Sequence, residues 1–213
     1  MKRITKKVDE KTARNRLLDA GTDLFAERGY SGTFVREIVA RAGVTKPVLY
    51  YYFENKEGMF RTILEGASEQ QKAILAEVFE IPGTALDRLV CLYHQIYQGV
   101  MAQQNLFKLI YNLVFGPRQG APDYDVDQYH RRMVAAIKQI YLMGVARGEV
   151  READAEEVAF LVLSLLDFCF HLEYVNPGIS DPQRPERLLR LAFEGLEPRG
   201  ACEEKGQLEY EKD

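Results

Sequence analysis

Apolar residues recur at three- and four-residue spacing along most of this chain. Near its start, Leu17, Gly21, Leu24 and Phe25 fall on one face of a helix that Gly29 ends. Alternating runs of Val, Ile and Thr bounded by turn residues, which are typical of strands, do not occur. The pattern therefore predicts an all-α fold of about nine helices.

Two further helices follow closely. Thr33 is the predicted N-cap of the segment "FVREIVARA", and Gly43 breaks the chain after it. Thr45 can cap a third helix with Pro47 in its first turn, where the missing N–H costs nothing. A helix, a short turn containing glycine and a second helix form the helix-turn-helix arrangement.

The third helix, "KPVLYYYF", separates its residues by face. Leu49 and Phe53 point together toward the preceding helix, while Pro47 and Tyr51 lie opposite. A DNA major groove admits a helix, and it offers thymine methyl groups and phosphate walls to such side chains. The pattern predicts a surface that faces the groove, although Tyr50 could equally belong to the edge of the core.

Charge is divided unevenly along the 213 residues, whose net charge is -4. Residues 1–56 contain 12 Lys and Arg against 7 Asp and Glu, a net of +5, and the remainder carries -9. A basic segment on an acidic protein favours a local contact with a polyanion, and its alternative is a solvated basic tail.

Residues 14–60 resemble the DNA-binding domain of the TetR family of bacterial transcriptional regulators. The resemblance rests on "AGTDLFAERGY", "TFVREIVARAGV" and "LYYYFENKEGMF", and it covers about a quarter of the chain. Family members often carry histidine where this chain has Tyr52. The resemblance, helical phase and position together give a predicted DNA-binding set: Thr33, Arg36, Thr45, Lys46, Pro47, Val48, Tyr50, Tyr51, Tyr52 and Lys56.

Six more helices are predicted near residues 56–80, 83–103, 104–116, 122–148, 153–175 and 182–197. The predicted domains are therefore a helix-turn-helix domain over residues 1–55 and a helical ligand-binding and dimerisation domain over residues 56–197. The polar, acidic residues 198–213 are predicted to be a disordered tail.

The segment "VAFLVLSLLDFCFHLEYV" is apolar around most of its circumference, so it should be buried on two sides. In the resembling family, this helix and the amphipathic helix after it pack against their two-fold mates as a four-helix bundle. A monomer with a central hydrophobic helix is the alternative. The predicted homodimer interface contains Phe160, Leu161, Ser164, Leu165, Phe168, Leu188, Leu191 and Phe193.

Aromatic and polar residues on the middle helices could line a pocket for a small-molecule effector. Such stripes more often form a core, and about a third of these residues would line a cavity. The candidates are Tyr93, His94, Tyr97, Met101, Phe107, Tyr111, Asn112, Phe115, Phe168, His171 and Tyr174.

Other classes of protein are disfavoured. No run approaches the ~20 apolar residues of a membrane span, no secretory signal begins the chain, and the three cysteines match no metal or disulfide spacing. Because no catalytic motif occurs, we expect neither an enzyme nor a cofactor. The sequence predicts a cytoplasmic repressor that binds a pseudo-palindromic double-stranded operator as a homodimer and is released by a largely apolar or aromatic effector. The alternative is a helical small-molecule carrier or partner-binding protein.

Overall fold

The computed structural model describes residues 2–116, 120–176, 181 and 183–194, with side chains from residue 13 onward except at position 173. The described residues form helices and no strand, which confirms the predicted all-α fold. In chain order these helices are α1 (Lys2–Arg28), α2 (Val35–Ala42), α3 (Lys46–Phe53), α4 (Lys56–Glu80), α5 (Ala85–Ala102), α6 (Gln104–Phe115), α7 (Gln128–Ala146), α8 (Ala155–Val175) and α9 (Arg184–Glu194).

An N-terminal core joins α1, α2, α3, the first half of α4 and one residue of α6. Leu24, Ile38, Leu49 and Phe60 are at most 2% exposed, and Leu109 of α6 completes the core. Burying each such side chain contributes about 1.5–3 kcal/mol. These contacts hold α3 against α2 in the helix-turn-helix arrangement.

Gly43 makes the turn between α2 and α3. Its φ of 65° lies in the left-handed region, which glycine adopts without a steric penalty. Its N–H donates to the Ala40 carbonyl, and the Val44 N–H donates to the Val39 carbonyl, at 3.2 and 3.0 Å. These bonds satisfy carbonyl groups at the end of α2, so the chain can turn directly into α3.

The start of α2 differs by one residue from the prediction. Phe34 is the N-cap, and its N–H donates to Glu37 Oε2 at 3.2 Å. Thr33 does not cap the helix because its hydroxyl donates inward, to the carbonyls of Leu24 and Gly29 at 3.0 and 2.8 Å. The Thr33 side chain therefore makes inward contacts instead of the capping contact that the local sequence predicts.

A C-terminal core joins the second half of α4 with α5, α7, α8 and α9. Leu89, Ile137, Val162, Leu166 and Leu189 are fully buried in it. Because α4 contributes Phe60 to one core and Val78 to the other, this helix runs through both. Among the described helices, none is long and apolar enough to cross a membrane.

Two predicted bounds differ from the structure. Helix α7 begins at Gln128 instead of near residue 122, because Ala121 and Tyr124 pack on the N-terminal core as part of a loop. Helix α9 covers Arg184–Glu194, and the predicted tail at 198–213 lies outside the described residues.

Candidate DNA-binding surface and internal cavity

Helix α3 buries one side and exposes the other. Leu49 and Phe53 are 0% and 4% exposed, whereas Tyr51 is 75% exposed. Tyr50, which the sequence left open between core and surface, is 47% exposed. Val48 and Tyr52 are partly buried against the N-terminal core, and the fully outward positions carry Thr45, Lys46, Pro47, Tyr50 and Tyr51.

The exposed side of α3, here called its outer face, combines apolar rings with one cation. The rings of Tyr51 and Tyr52 meet edge to face with centroids 5.0 Å apart, and Tyr52 in turn lies against Phe53. Tyr52 therefore connects the exposed Tyr51 ring to the buried Phe53 ring. Lys46 is exposed at the start of the same helix. An apolar ridge with a lysine at one end suits a groove with phosphate walls.

The start of α2 adds a second exposed group. Arg36 places its guanidinium over the Phe34 ring, 5.2 Å from the centroid, and both residues are exposed. Sequence reasoning did not select Phe34. An apolar residue directly after a glycine-containing turn is the signal that marks it.

Two of the predicted DNA contacts are held inside the protein. The Thr33 side chain is 0% exposed. Lys56 Nζ donates to the carbonyls of Tyr30 and Thr33 at 2.9 and 3.0 Å, and it lies 3.9 Å from the Tyr30 ring centroid. Burial lowers the pKa of Lys56. The prediction for the Thr33 side chain is therefore corrected, and Lys56 commits two of its three N–H donors to the turn before α2.

Replacing Thr33 with valine should destabilise the protein although the shape barely changes. The substitution removes the one hydroxyl donor that the carbonyls of Leu24 and Gly29 share, which costs roughly 1–2 kcal/mol. The free energy of unfolding in urea measures this loss. Thr45→Val is the matched control, because Thr45 is exposed and its side chain makes no capping hydrogen bond. Equal losses in the two variants would contradict the inward role of Thr33.

A cavity of about 210 Å³ that opens to the surface lies between α4, α5, α6, α7 and α8. Its walls are mostly apolar, from Ile74 and Ile96 to Leu163 and Leu166. Four aromatic side chains and a small set of polar groups complete the lining: Phe107, Tyr111, Phe115 and Phe170, with Gln70, Gln71, Gln103, Tyr129, His130 and Asp167.

The polar groups of the cavity are coupled to one another. His130 Nε2 lies 3.2 Å from Asp167 Oδ2, and the hydrogen bond to this carboxylate raises the pKa of His130. Gln71 Nε2 donates to the Tyr129 carbonyl at 3.1 Å, and the Tyr129 hydroxyl donates to the Leu64 carbonyl at 2.7 Å. Desolvation by burial raises the pKa of Tyr129 far above its ordinary value. The Tyr129 hydroxyl and one N–H of the Gln71 amide are therefore committed to the protein.

Three of the eleven predicted effector residues line this cavity: Phe107, Tyr111 and Phe115. Asn112, His171 and Tyr174 lie behind Tyr111. Tyr174 stacks on Tyr111 at 4.4 Å and donates to Asn112 Oδ1 at 2.9 Å, and His171 Nδ1 is 2.6 Å from the Tyr111 hydroxyl. These three residues therefore support a wall residue from outside.

The other five candidates lie elsewhere, which corrects their assignment to the lining. Tyr93 is buried in the C-terminal core and stacks on Tyr97 and Phe170, each at 5.7 Å. Tyr97 packs at the edge of the same core, and His94 Nε2 is 3.7 Å from Glu186 Oε2. Met101 lies where α1, α5 and α6 meet, and Phe168 is 60% exposed on α8.

The cavity residues that sequence reasoning missed lie mainly on α4, α7 and α8. One of them, Gln71, could have been recognised from the sequence. Buried positions of α4 run through Ile63, Ala67, Leu75 and Val78, and Gln71 falls in the same stripe. A polar residue within a buried apolar stripe must find a partner or face a cavity.

An apolar stripe on α8 faces outward. Phe160, Leu161 and Phe168 are 69%, 49% and 60% exposed, and Leu191 of α9 is 48% exposed beside them. Ser164 is exposed within the stripe and Leu165 is half-buried. Leu188 and Phe193 instead pack partly against the C-terminal core of their own chain. His171, which was predicted as an effector residue, and Val175, which was not predicted, continue the stripe.

Comparisons with known proteins agree on one class. Residues 17–63 match the family model described as bacterial regulatory proteins, tetR family. The uncharacterized HTH-type transcriptional regulator YdgC of Bacillus subtilis (strain 168) is 24% identical over 195 residues, which cover 88% of this chain and 94% of YdgC. The HTH-type transcriptional repressor BepR of Brucella suis biovar 1 is 29% identical over 167 residues, covering 75% and 79% of the two chains.

Solved structures share the fold. The transcriptional regulator FadR from Bacillus subtilis, in complex with stearoyl-CoA, superposes with a TM-score of 0.66 and 20% identity over 85% of this chain and 98% of FadR. The two chains therefore have the same arrangement of helices.

Proposed function

Because the chain belongs to the TetR family of bacterial regulatory proteins, we propose that it is a ligand-responsive transcriptional repressor. It binds a pseudo-palindromic operator as a homodimer, and a small, largely apolar or aromatic effector releases it. The observation that carries the proposal is the outer face of α3, whose 75% exposed Tyr51 and exposed Lys46 have no role in the N-terminal core.

The DNA-binding domain is proposed to consist of residues 1–55. Its outer face on α3 enters the major groove, while the start of α2, with Arg36, lies toward a phosphate. Lys56 and Thr33 act indirectly, because they fix the turn from which α2 begins. Tyr51 and Tyr50 supply the contacts to base edges and Lys46 supplies a phosphate contact.

The dimer is proposed to form through the apolar stripe of α8 with α9. An exposed row of large apolar side chains along one face of a helix is costly in water and is typical of an interface. A two-fold dimer presents two copies of α3, which reach successive major grooves when they are about 34–36 Å apart. This geometry requires an operator with two inverted half-sites.

Helix α6 links the effector cavity to the DNA-binding domain. Leu106 and Ile110 line the cavity and also pack against the N-terminal core, where Leu109 is 3% exposed. Asn105 Nδ2 donates to Asp23 Oδ1 of α1 at 2.7 Å. A ligand that moves α6 therefore also displaces α1. It shifts DNA affinity only by its differential affinity for the two states, typically ~1–3 kcal/mol.

A footprint of the purified protein on its own upstream DNA tests this proposal. The footprint is taken at defined salt and repeated with a library of small molecules, since affinities for DNA depend steeply on salt. We expect protection of a palindromic site that at least one compound abolishes. Binding without a preferred site, or no binding, would contradict the proposal and favour the helical ligand carrier.

The proposal excludes an enzyme. The relatives are transcriptional regulators. Since the protein acts on chromosomal DNA, we assign it to the cytoplasm.

A further inference from the structure

Three polar groups of the cavity each use a hydrogen-bond donor within the protein, whereas one buried acceptor has no partner among the described residues. Gln71 Nε2 and the Tyr129 hydroxyl each donate to a backbone carbonyl, and Gln103 Nε2 donates to Gln70 Oε1 at 3.3 Å. Gln71 Oε1 is buried and has no partner within the described residues. Reversing this amide would bring its oxygen against the Tyr129 carbonyl, so the unpaired atom is the acceptor.

An unpaired buried acceptor is unfavourable, and a ligand donor that bonds to it would recover that free energy. Because Gln71 lines the cavity, a small turn of its side chain brings Oε1 to a ligand. The second acceptor is the Asp167 carboxylate, whose side chain is 39% exposed and lies beside His130. Both positions therefore favour a ligand that carries N–H or O–H donors.

The charge of the cavity also disfavours an anionic ligand. The described lining residues include Asp167 and His130, and neither Lys nor Arg is among them. With Asp167 ionised, the pair carries no net charge when His130 is protonated and one negative charge when it is neutral. A ligand carboxylate or phosphate would thus meet no cation in the lining except His130, which already pairs with Asp167.

The aromatic side chains of the lining suit a cation as well. Phe107, Tyr111, Phe115 and Phe170 present aromatic rings to the cavity, and Phe115 also contacts the His130 ring at 5.7 Å. Aromatic faces attract ammonium groups, more strongly where water is excluded. The aromatic wall and the acceptor wall therefore favour the same kind of head group.

We propose that the effector is an amine: an apolar or aromatic body that carries a protonated primary or secondary amino group, whose N–H groups bond to Asp167 and Gln71. This proposal rests on the proposed function, in which this cavity is the effector site. It separates the chain from the FadR structure, whose ligand is the anionic stearoyl-CoA.

Three compounds with one body test the charge preference. Calorimetric titration of the full chain at neutral pH compares 2-naphthylmethylamine, 2-naphthylmethanol and 2-naphthoate. We expect the ammonium to bind about ten-fold more tightly than the alcohol, which lacks its charge-assisted hydrogen bond. We expect it to bind at least about a hundred-fold more tightly than the carboxylate, which lacks that bond and also brings a negative charge next to Asp167. Equal or tighter binding of naphthoate would overturn the proposal, and so would no binding of any of the three.

Variants locate the binding. Asp167→Asn is expected to weaken the ammonium about ten-fold, to the level of the alcohol. Gly99 lines the cavity with open space before it, so Gly99→Leu should fill the cavity and weaken all binding at least about ten-fold. Gly66→Leu is the matched control, since Gly66 also has open space but is exposed on α4 outside the cavity. Equal effects of the two leucines would overturn the site.

Failure of the amine proposal and failure of the repressor function give different results. Ligand binding is measured without DNA, and operator release is measured separately by gel shift. The predicted order of affinities with no release would leave the amine site standing and reject the release mechanism. Release by an anionic compound that binds the cavity would support the release mechanism and reject the amine proposal.

Discussion

Alanine at both Lys46 and Tyr51 is expected to lower operator affinity by roughly a thousand-fold. Each residue is exposed on the outer face of α3, and removing its interaction with DNA costs on the order of 1 kcal/mol or more. Because a homodimer presents both residues twice, four interactions with the operator disappear together, and every 1.4 kcal/mol is about ten-fold in affinity. Gel shift on the footprinted operator measures the change.

The dependence of this affinity on salt separates the two residues. Lys46→Ala alone should reduce the slope of log affinity against log salt by about two per dimer, whereas Tyr51→Ala should leave the slope unchanged and relax sequence preference. Lys72→Ala, on the C-terminal part of α4, is the control for loss of a surface lysine. Helical content and thermal unfolding should match the wild type. A double variant that binds the operator normally would remove α3 from the DNA interface.

Glutamate at both Phe160 and Phe168 is expected to convert the protein to a monomer. These residues are 69% and 60% exposed on the apolar stripe of α8, and in a dimer two copies of each would become buried charges without a partner. A monomer engages one half-site only. Its operator affinity should therefore fall toward the range of non-specific binding, a loss of about a thousand-fold or more.

Analytical ultracentrifugation measures the oligomeric state of this variant. Leu142→Glu is the matched control, because Leu142 of α7 is 48% exposed and lies outside the stripe. It should remain dimeric and bind the operator with unchanged affinity. A dimer that survives both glutamates would show that the subunits associate through another surface.

The helix-turn-helix region could be predicted closely because its signals are local. Gly43 has to adopt a positive φ at the turn, and Leu49 and Phe53 fall one helical turn apart on the buried face. The exposure of Tyr51 follows from the same periodicity. Thr33 was misassigned for a non-local reason: its hydroxyl bonds to carbonyl groups at and just beyond the end of α1, and only the packing of α1 on α2 reveals those.

The cavity could not be predicted to the same degree because five helices, distant in sequence, each contribute part of a wall. An aromatic stripe such as that of α5 looks the same whether it faces a core or a cavity, and Tyr93 and Tyr97 proved to face the core. His130 and Asp167 are 37 residues apart, and only the packing of α7 on α8 brings them together. Gln71 was visible as a polar residue in an apolar stripe, but its partners were not.

Helix α6 also limits how this protein can change over time. Leu106 and Ile110 serve the cavity and the N-terminal core at once, so a substitution that reshapes the cavity there also alters the scaffold of the DNA-binding surface. Met133, Leu163 and Asp167 line the cavity from α7 and α8, and no described side chain of these two helices belongs to that core. Substitutions on α7 and α8 can therefore change the ligand preference most readily. Descendants of this protein can then respond to different compounds while they keep the same operator.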